Sequence, residues 1–244
     1  RRVLFRSIVI NTGLGLINSV WGNLDQALGA LVNAAGIDPN TPEGKRELDE
    51  RVNVERANYA AVSTLLASLV ADGRMAIVVR PHPSEDPELW RKNCAGMNRV
   101  SVVVGSDPLA WIKHAALVVH GDSTTGLEAA ILGVPCLNIA PHREWSDRFI
   151  MSEINVTVPT AEAAKASIDR LLAGNAWLVP PIPPDLFPVD AAGATARAIA
   201  SLLPPPAPVR LDRWAKVQRS DVQRTKFTVE PQDLFRLLGP IAQR

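Results

Sequence analysis

The chain has little cysteine, two residues in 244, Cys94 and Cys136. That is too few for a disulfide framework and fits a reducing, cytoplasmic compartment. Cys136 lies in an apolar run and reads as a buried free thiol. Long apolar stretches are also lacking: none reaches the roughly 18–20 residues that span a bilayer, and no signal peptide is evident. Charge of one sign is lacking too. Lysine and arginine number 26 against 25 acids, a net +1, which gives no case for nucleic acid as a partner. There is no Asp-x-Asp pair, and the four histidines show no His-x-x-x-His spacing, so a metal centre finds no support and no cofactor is expected. Gly13-x-Gly15 lacks the third glycine and distal acid of a dinucleotide site. Gly121-Asp-Ser123 is followed by Thr-Thr-Gly, not by the x-Gly of a nucleophile elbow.

What is present is an alternation of short apolar runs with helical patterns. Ser7–Ile10, Ile77–Val79, Val100–Val104, Leu117–Val119 and Pro135–Ile139 read as strands. Val54–Ala71 reads as a helix ended by Asp72-Gly73. Further helices are expected over Asp86–Asn93, over Pro108–Ala115 behind an Asp107 cap, over Thr124–Leu132, and from a Thr160 cap to Ala173. Leu24–Ala35 admits a helix, Asp38–Gly44 is a turn cluster, and Glu43–Val54 is charged and expected to be exposed. This alternation implies an α/β fold, a doubly wound, Rossmann-like parallel sheet with successive loops on one rim. It is assigned to residues 8–178.

After Gly174 the character changes. Residues 179–244 form a proline-rich and partly helical extension, whose last part, 210–244, carries eight Lys/Arg against four acids, a net +4. Such a tail can wrap over another domain, contact anionic lipid at the inner face of the membrane, or stay solvated. At the other end, Arg1–Ser7 has no Met. Leu4-Phe-Arg-Ser7 is what the end of a common sequencing adapter would encode, so residues 1–7 are expected to be foreign to the fold.

Two polar loops stand at predicted strand ends. Arg80-Pro-His82-Pro83-Ser-Glu-Asp86 follows one strand, and prolines on both sides restrict the backbone at His82. His120-Gly121-Asp-Ser123-Thr124-Thr125-Gly-Leu-Glu128 follows another and opens a helix. Helix-start N–H groups and the three hydroxyls favour an anion there, with Glu128 one turn on to accept from sugar hydroxyls. Anionic phosphates beside a diol describe a nucleotide or nucleotide sugar. Other uses remain open. His120 can equally be a core-edge histidine, Ser123 and Thr124 can be N-caps, and Arg80 can pair with Glu85 or Asp86.

The segments "RPHPSED" and "HGDSTTGLEAAILGVPCLNI", taken in order, resemble the C-terminal, donor-binding half of GT-B glycosyltransferases, above all bacterial surface-carbohydrate and capsule polysaccharide biosynthesis proteins. Asn11-Thr12-Gly-Leu-Gly-Leu-Ile-Asn18-Ser19 resembles the opening strand and loop of that domain. The resemblance spans roughly residues 8–175. It implies that His82 contacts the donor's phosphate, that Ser123, Thr124 and Thr125 hold the phosphates, that Glu128 touches the ribose, and that His120 and Gly121 shape the loop. Arg80, Asn11, Thr12, Asn18 and Ser19 are secondary candidates. It further implies a nucleotide-sugar donor, CMP-activated or other, a glycan or glycolipid acceptor, no metal, and an N-terminal acceptor domain as partner. That domain is expected to carry the general base, so no catalytic residue is assigned. Two rivals stand beside this reading: an epimerase or polyol-phosphate transferase of the same fold, and a non-catalytic nucleotide-binding module.

Overall fold

The computed structural model describes residues 7–175. The proline-rich and basic extension, and all of the expected leader except Ser7, lie outside the described residues. Six strands make one all-parallel sheet: β1 (Ser7–Asn11), β2 (Ala76–Arg80), β3 (Val100–Val102), β4 (Ala115–His120), β5 (Cys136–Ile139) and β6 (Val156–Val158). Their spatial order is β3-β2-β1-β4-β5-β6. The helices are α1 (Leu24–Ala35), α2 (Pro42–Asp72), α3 (Pro87–Asn93), α4 (Pro108–His114), α5 (Thr125–Ile131), α6 (Arg143–Ser146), α7 (Met151–Ile154) and α8 (Ala161–Leu172).

Apolar residues on both faces of the central strands explain why helices cover both sides. Ile8, Ile10, Val79, Val119 and Leu137 meet Val62, Leu65 and Leu69 of α2 and Ile168 of α8 on one side. On the other, Val118 and Cys136 meet Ile112 of α4 and Ala129 of α5. The expected doubly wound sheet is therefore the observed one, and Cys136 is a buried free thiol. Thr160 caps α8 as expected, its hydroxyl accepting the Ala163 N–H at 3.2 Å. Asp86 and Asp107 likewise cap α3 and α4, each of which begins with proline.

Some boundaries differ from the sequence reading. Ser7, counted in the expected leader, belongs to β1, where it pairs with Ala76, and β1 runs on to Asn11. Pro135 precedes β5, and β3 stops at Val102. The largest correction is α2. Glu43–Val54, expected to be an exposed charged stretch, is the first half of a single 31-residue helix. Thr41 caps it with Pro42 in the first turn, Glu47 pairs with Arg51 one turn on, and Val52 is buried against Ala27 of α1 and Leu16. Tertiary contact along one face thus decides a segment whose composition is mostly polar. Residues 140–159, left without elements by the sequence reading, hold α6, α7 and β6. No helix among the described residues is long and apolar enough to cross a membrane.

Candidate functional site

The strand order reverses between β1 and β4, and in open α/β sheets the crevice beyond the carboxyl ends at such a switch point is where ligands bind. A cleft of about 380 Å³ opens there. Gly13 and Gly15 of the loop after β1 and Gly121 and Asp122 of the loop after β4 line it. The α1–α2 pair forms one wall, and Trp145 and Phe149 contribute another.

The loops are held closely. A Cβ on Gly121 would lie 2.9 Å from the Asn58 amide nitrogen of α2, so a side chain there would have to displace Asn58. Asp122 adopts a left-handed backbone, φ 51°. Its N–H donates to Asn138 Oδ1 at 2.8 Å, and its Oδ1 accepts from Asn138 Nδ2 at 2.8 Å and from the Ser146 hydroxyl at 2.5 Å. These bonds offset the cost of that conformation.

Glu55 of α2 also lines the cleft. Its Oε2 accepts the N–H groups of Leu16 and Ile17 at 2.8 and 3.0 Å, pinning the loop after β1. Burial pushes its carboxyl up to about 7, with the Glu85 charge adding to the rise; the two N–H bonds and Arg51 oppose it. Arg51 bonds Glu47 and lies 5.3 Å from the Trp145 ring centroid. Arg148, which pairs with Glu50 at 2.9 Å, lies 4.7 Å from the same centroid. Glu55 was invisible to sequence reasoning because a single acid within a charged helix stretch carries no local signal.

Glu85 is a second such residue. It is almost fully buried and accepts from the Thr12 hydroxyl at 2.7 Å, the His82 N–H at 2.9 Å and Trp90 Nε1–H at 2.9 Å. It is therefore not the surface partner of Arg80. Arg80 donates instead to Asn11 Oδ1 at 3.1 Å and to the Ser106 carbonyl at 2.6 Å.

The candidate residues fall into three groups. Thr12, Asn18 and Ser19 use polar groups within the fold. Thr12 holds Glu85, Asn18 Nδ2 donates to the Asp86 carbonyl at 2.8 Å, and Ser19 Oγ accepts the Trp21 N–H at 3.2 Å. His120 also turns inward and is fully buried. Its Nδ1 accepts the Ser123 N–H at 3.1 Å, which puts the neutral ring's proton on Nε2, and burial lowers its pKa to about 3. That bond orders the loop before α5, while Nε2 is buried without a hydrogen-bond partner among the described residues.

The second group lies on the loops whose Ser84, Gly121 and Asp122 line the cleft. His82 is exposed, with Nδ1 bonded to Ser84 Oγ at 2.7 Å and accepting the Ser84 N–H at 3.2 Å; Ser84 lines the cleft. Ser123 Oγ accepts from the Thr125 hydroxyl at 3.0 Å and its N–H at 3.3 Å. Thr124 is exposed and makes no side-chain cap bond. The third group is Asn11, Arg80 and Glu128. Burial raises the Glu128 pKa, Asp107 adds to the rise and Arg80 lowers it. Asn11 Nδ2, Arg80 Nε and Glu128 Oε2 are buried without a hydrogen-bond partner among the described residues.

An open parallel α/β sheet with a cleft at its switch point is the class of protein that fold and site define. No protein-family model matches the chain, and no curated protein matches it in sequence. Among solved structures, the UDP-GlcNAc 2-epimerase of Methanocaldococcus jannaschii in complex with UDP-GlcNAc and UDP is similar at 14% identity and TM-score 0.47, covering 82% of this chain and 46% of that one. The UDP-GlcNAc 2-epimerase of Neisseria meningitidis bound to UDP-GlcNAc matches at 12% identity and TM-score 0.38, covering 71% and 37%. Thermosulfurimonas dismutans KpsC, a beta Kdo 2,4 transferase, matches at 18% identity and TM-score 0.26, covering 56% and 34%. The chain thus spans less than half the length of each.

Proposed function

We propose that this chain is the donor-binding half of a two-domain, metal-independent sugar-nucleotide enzyme, a glycosyltransferase of bacterial surface polysaccharide assembly. The observation that carries the reading is the cleft at the β1/β4 switch point, built from the loops after both strands. The Asn11–Arg80–Glu128 group supports it: two buried donors and one acceptor without partners suit the hydroxyls of a sugar. His82 and the Ser123–Thr125 hydroxyls stand nearby in the sequence of loops as donors to phosphate, stabilising the charge that develops on the departing nucleotide. The general base belongs to the complementary domain. Titration calorimetry with CMP, CDP, UMP and UDP tests the reading. Binding is expected, tightest for the cytidine forms, and a folded sample that binds none of the four overturns it. Conversion of a nucleotide sugar in the absence of any acceptor would assign the epimerase chemistry instead.

A further inference from the structure

The charged residues lining the cleft, among those described, are Arg51, Glu55 and Asp122. A phosphate-bearing ligand entering it meets two carboxylates and one guanidinium, and that guanidinium is already engaged by Glu47 at 2.7 and 3.2 Å. The elements packed around Glu55 offer little compensation. The loop after β1 gives it the N–H groups of Leu16 and Ile17. The α1 wall contributes Ala27, Ala30, Leu31 and Ala34, none titratable, and the loop before α3 brings Glu85, a further negative charge acting on Glu55. Across the cleft, Asp122 Oδ1 is already held by Asn138 and Ser146. Arg148, over the Trp145 ring, is paired with Glu50. An anion beside this group is therefore favoured by removal of one negative charge, and the group easiest to neutralise is the desolvated one.

We propose that the cleft takes its anionic ligand together with a proton, and that the Glu55 carboxyl carries that proton. The inference rests on the nucleotide-sugar reading above and adds the coupling to it. Protonated Glu55 still accepts the Leu16 N–H through one oxygen and gains an O–H that can donate to a phosphate oxygen. Because burial already holds the group near neutrality, the proton is available under ordinary conditions. Each unit by which the bound anion raises the Glu55 pKa corresponds to about a tenfold change in affinity across the titration.

The test is titration calorimetry of the 244-residue chain with UDP-N-acetylglucosamine and with CMP-N-acetylneuraminic acid. Neither carries a terminal phosphate monoester, so the charge of each is constant over the range and any pH dependence belongs to the protein. Affinity is expected to fall by about tenfold between about pH 6 and about pH 8.5. Near neutrality, binding should take up a fraction of a proton, read from buffers of different ionisation enthalpy. In Glu55→Gln the amide oxygen keeps an acceptor for Leu16 and Ile17, so the loop stays anchored. The comparison is made in a His82→Ala background, because an imidazole bonded to the phosphate would itself take up protons in this range. There Glu55→Gln should bind equally at both pH values and take up no proton, and if that variant fails to fold, proton uptake by His82→Ala alone decides the matter. Binding by the parent with no proton uptake and equal affinity at both pH values overturns this inference and leaves the nucleotide-sugar reading intact. No binding at either pH overturns both.

Discussion

Two histidines at strand ends look alike in sequence and behave oppositely in the fold. His120 ends β4 with its ring enclosed beneath α5, where the absence of a Cβ on Gly126 makes room for it. A Cβ there would collide with His120 Nε2 and lie 2.6 Å from Asn155 Nδ2. Gly126→Ala should therefore destabilise the protein by about 1–3 kcal/mol, read as a lower midpoint in chemical denaturation; an unchanged midpoint would show that the loop yields freely. His82 is exposed on its proline-flanked loop. His82→Ala should leave the midpoint almost unmoved and weaken nucleotide binding by about 1–3 kcal/mol, whereas unchanged affinity would return His82 to a purely structural role. Glu55 supplies a test of sign. Its folded pKa of about 7 lies above its ordinary value of 4.5, so its contribution is intact below about 4.5 and is lost as pH rises towards 7. Glu55→Gln removes that loss. The stability of the variant relative to the parent should climb between about pH 4.5 and 7 and then level off. His120, buried neutral, has the reverse slope below its ordinary pKa, but it is common to both proteins and cancels in the difference. At this scale the sequence showed which loops are polar. It could not show that Thr12, Asn18 and Glu85 bond one another's segments, because those bonds join residues 67 and 73 positions apart.

Elements were legible in proportion to their length and their self-sufficiency. The strands β1, β2, β4 and β5 are buried apolar runs between turn signals, and the caps of α3, α4 and α8 are written locally. The elements of residues 140–159 are three or four residues long, too short for any periodicity. The first half of α2 was misread because its buried face exists only against α1 and the loop after β1. The turn that joins the two helices makes this dependence testable. The Thr41 hydroxyl donates to the Asp38 carbonyl at 2.9 Å and accepts the Gly44 N–H at 3.0 Å. A Cβ on Gly44 would overlap that same carbonyl, a backbone atom that cannot swing aside. Gly44→Ala should force the turn open and loosen α1 and the start of α2. Hydrogen exchange in these segments should accelerate, while β1 and β4 keep their protection. Equal acceleration throughout would mean that the helix pair and the sheet open as one unit. Since this pair is also a wall of the cleft, the variant should bind nucleotide more weakly through loss of shape rather than of any contact.

The whole molecule has the strand order of a dinucleotide fold without its glycine fingerprint, and a cleft lined from one side of the sheet's rim. Doubly wound topology was readable from the alternation of strands and helices, because right-handed crossovers leave few other arrangements. The cleft was not, since its walls come from α1, α2 and α6, brought together only by the closed fold. Of its lining residues, Trp21 is half exposed and Phe149 is 38% exposed; Val20, next to Trp21, is half exposed too. Large apolar side chains left exposed are the character of an interaction surface. On the proposed two-domain reading, transfer requires a second wall that positions the acceptor hydroxyl and excludes water. That reading predicts that the 244-residue chain alone binds a nucleotide sugar without transferring it. Adding a complementary acceptor domain should restore transfer and protect Trp21 and Phe149 from solvent, a change visible in tryptophan fluorescence and in exchange across Val20–Gly22. Transfer by the chain unaided would place the acceptor site on these residues and refute the two-domain reading.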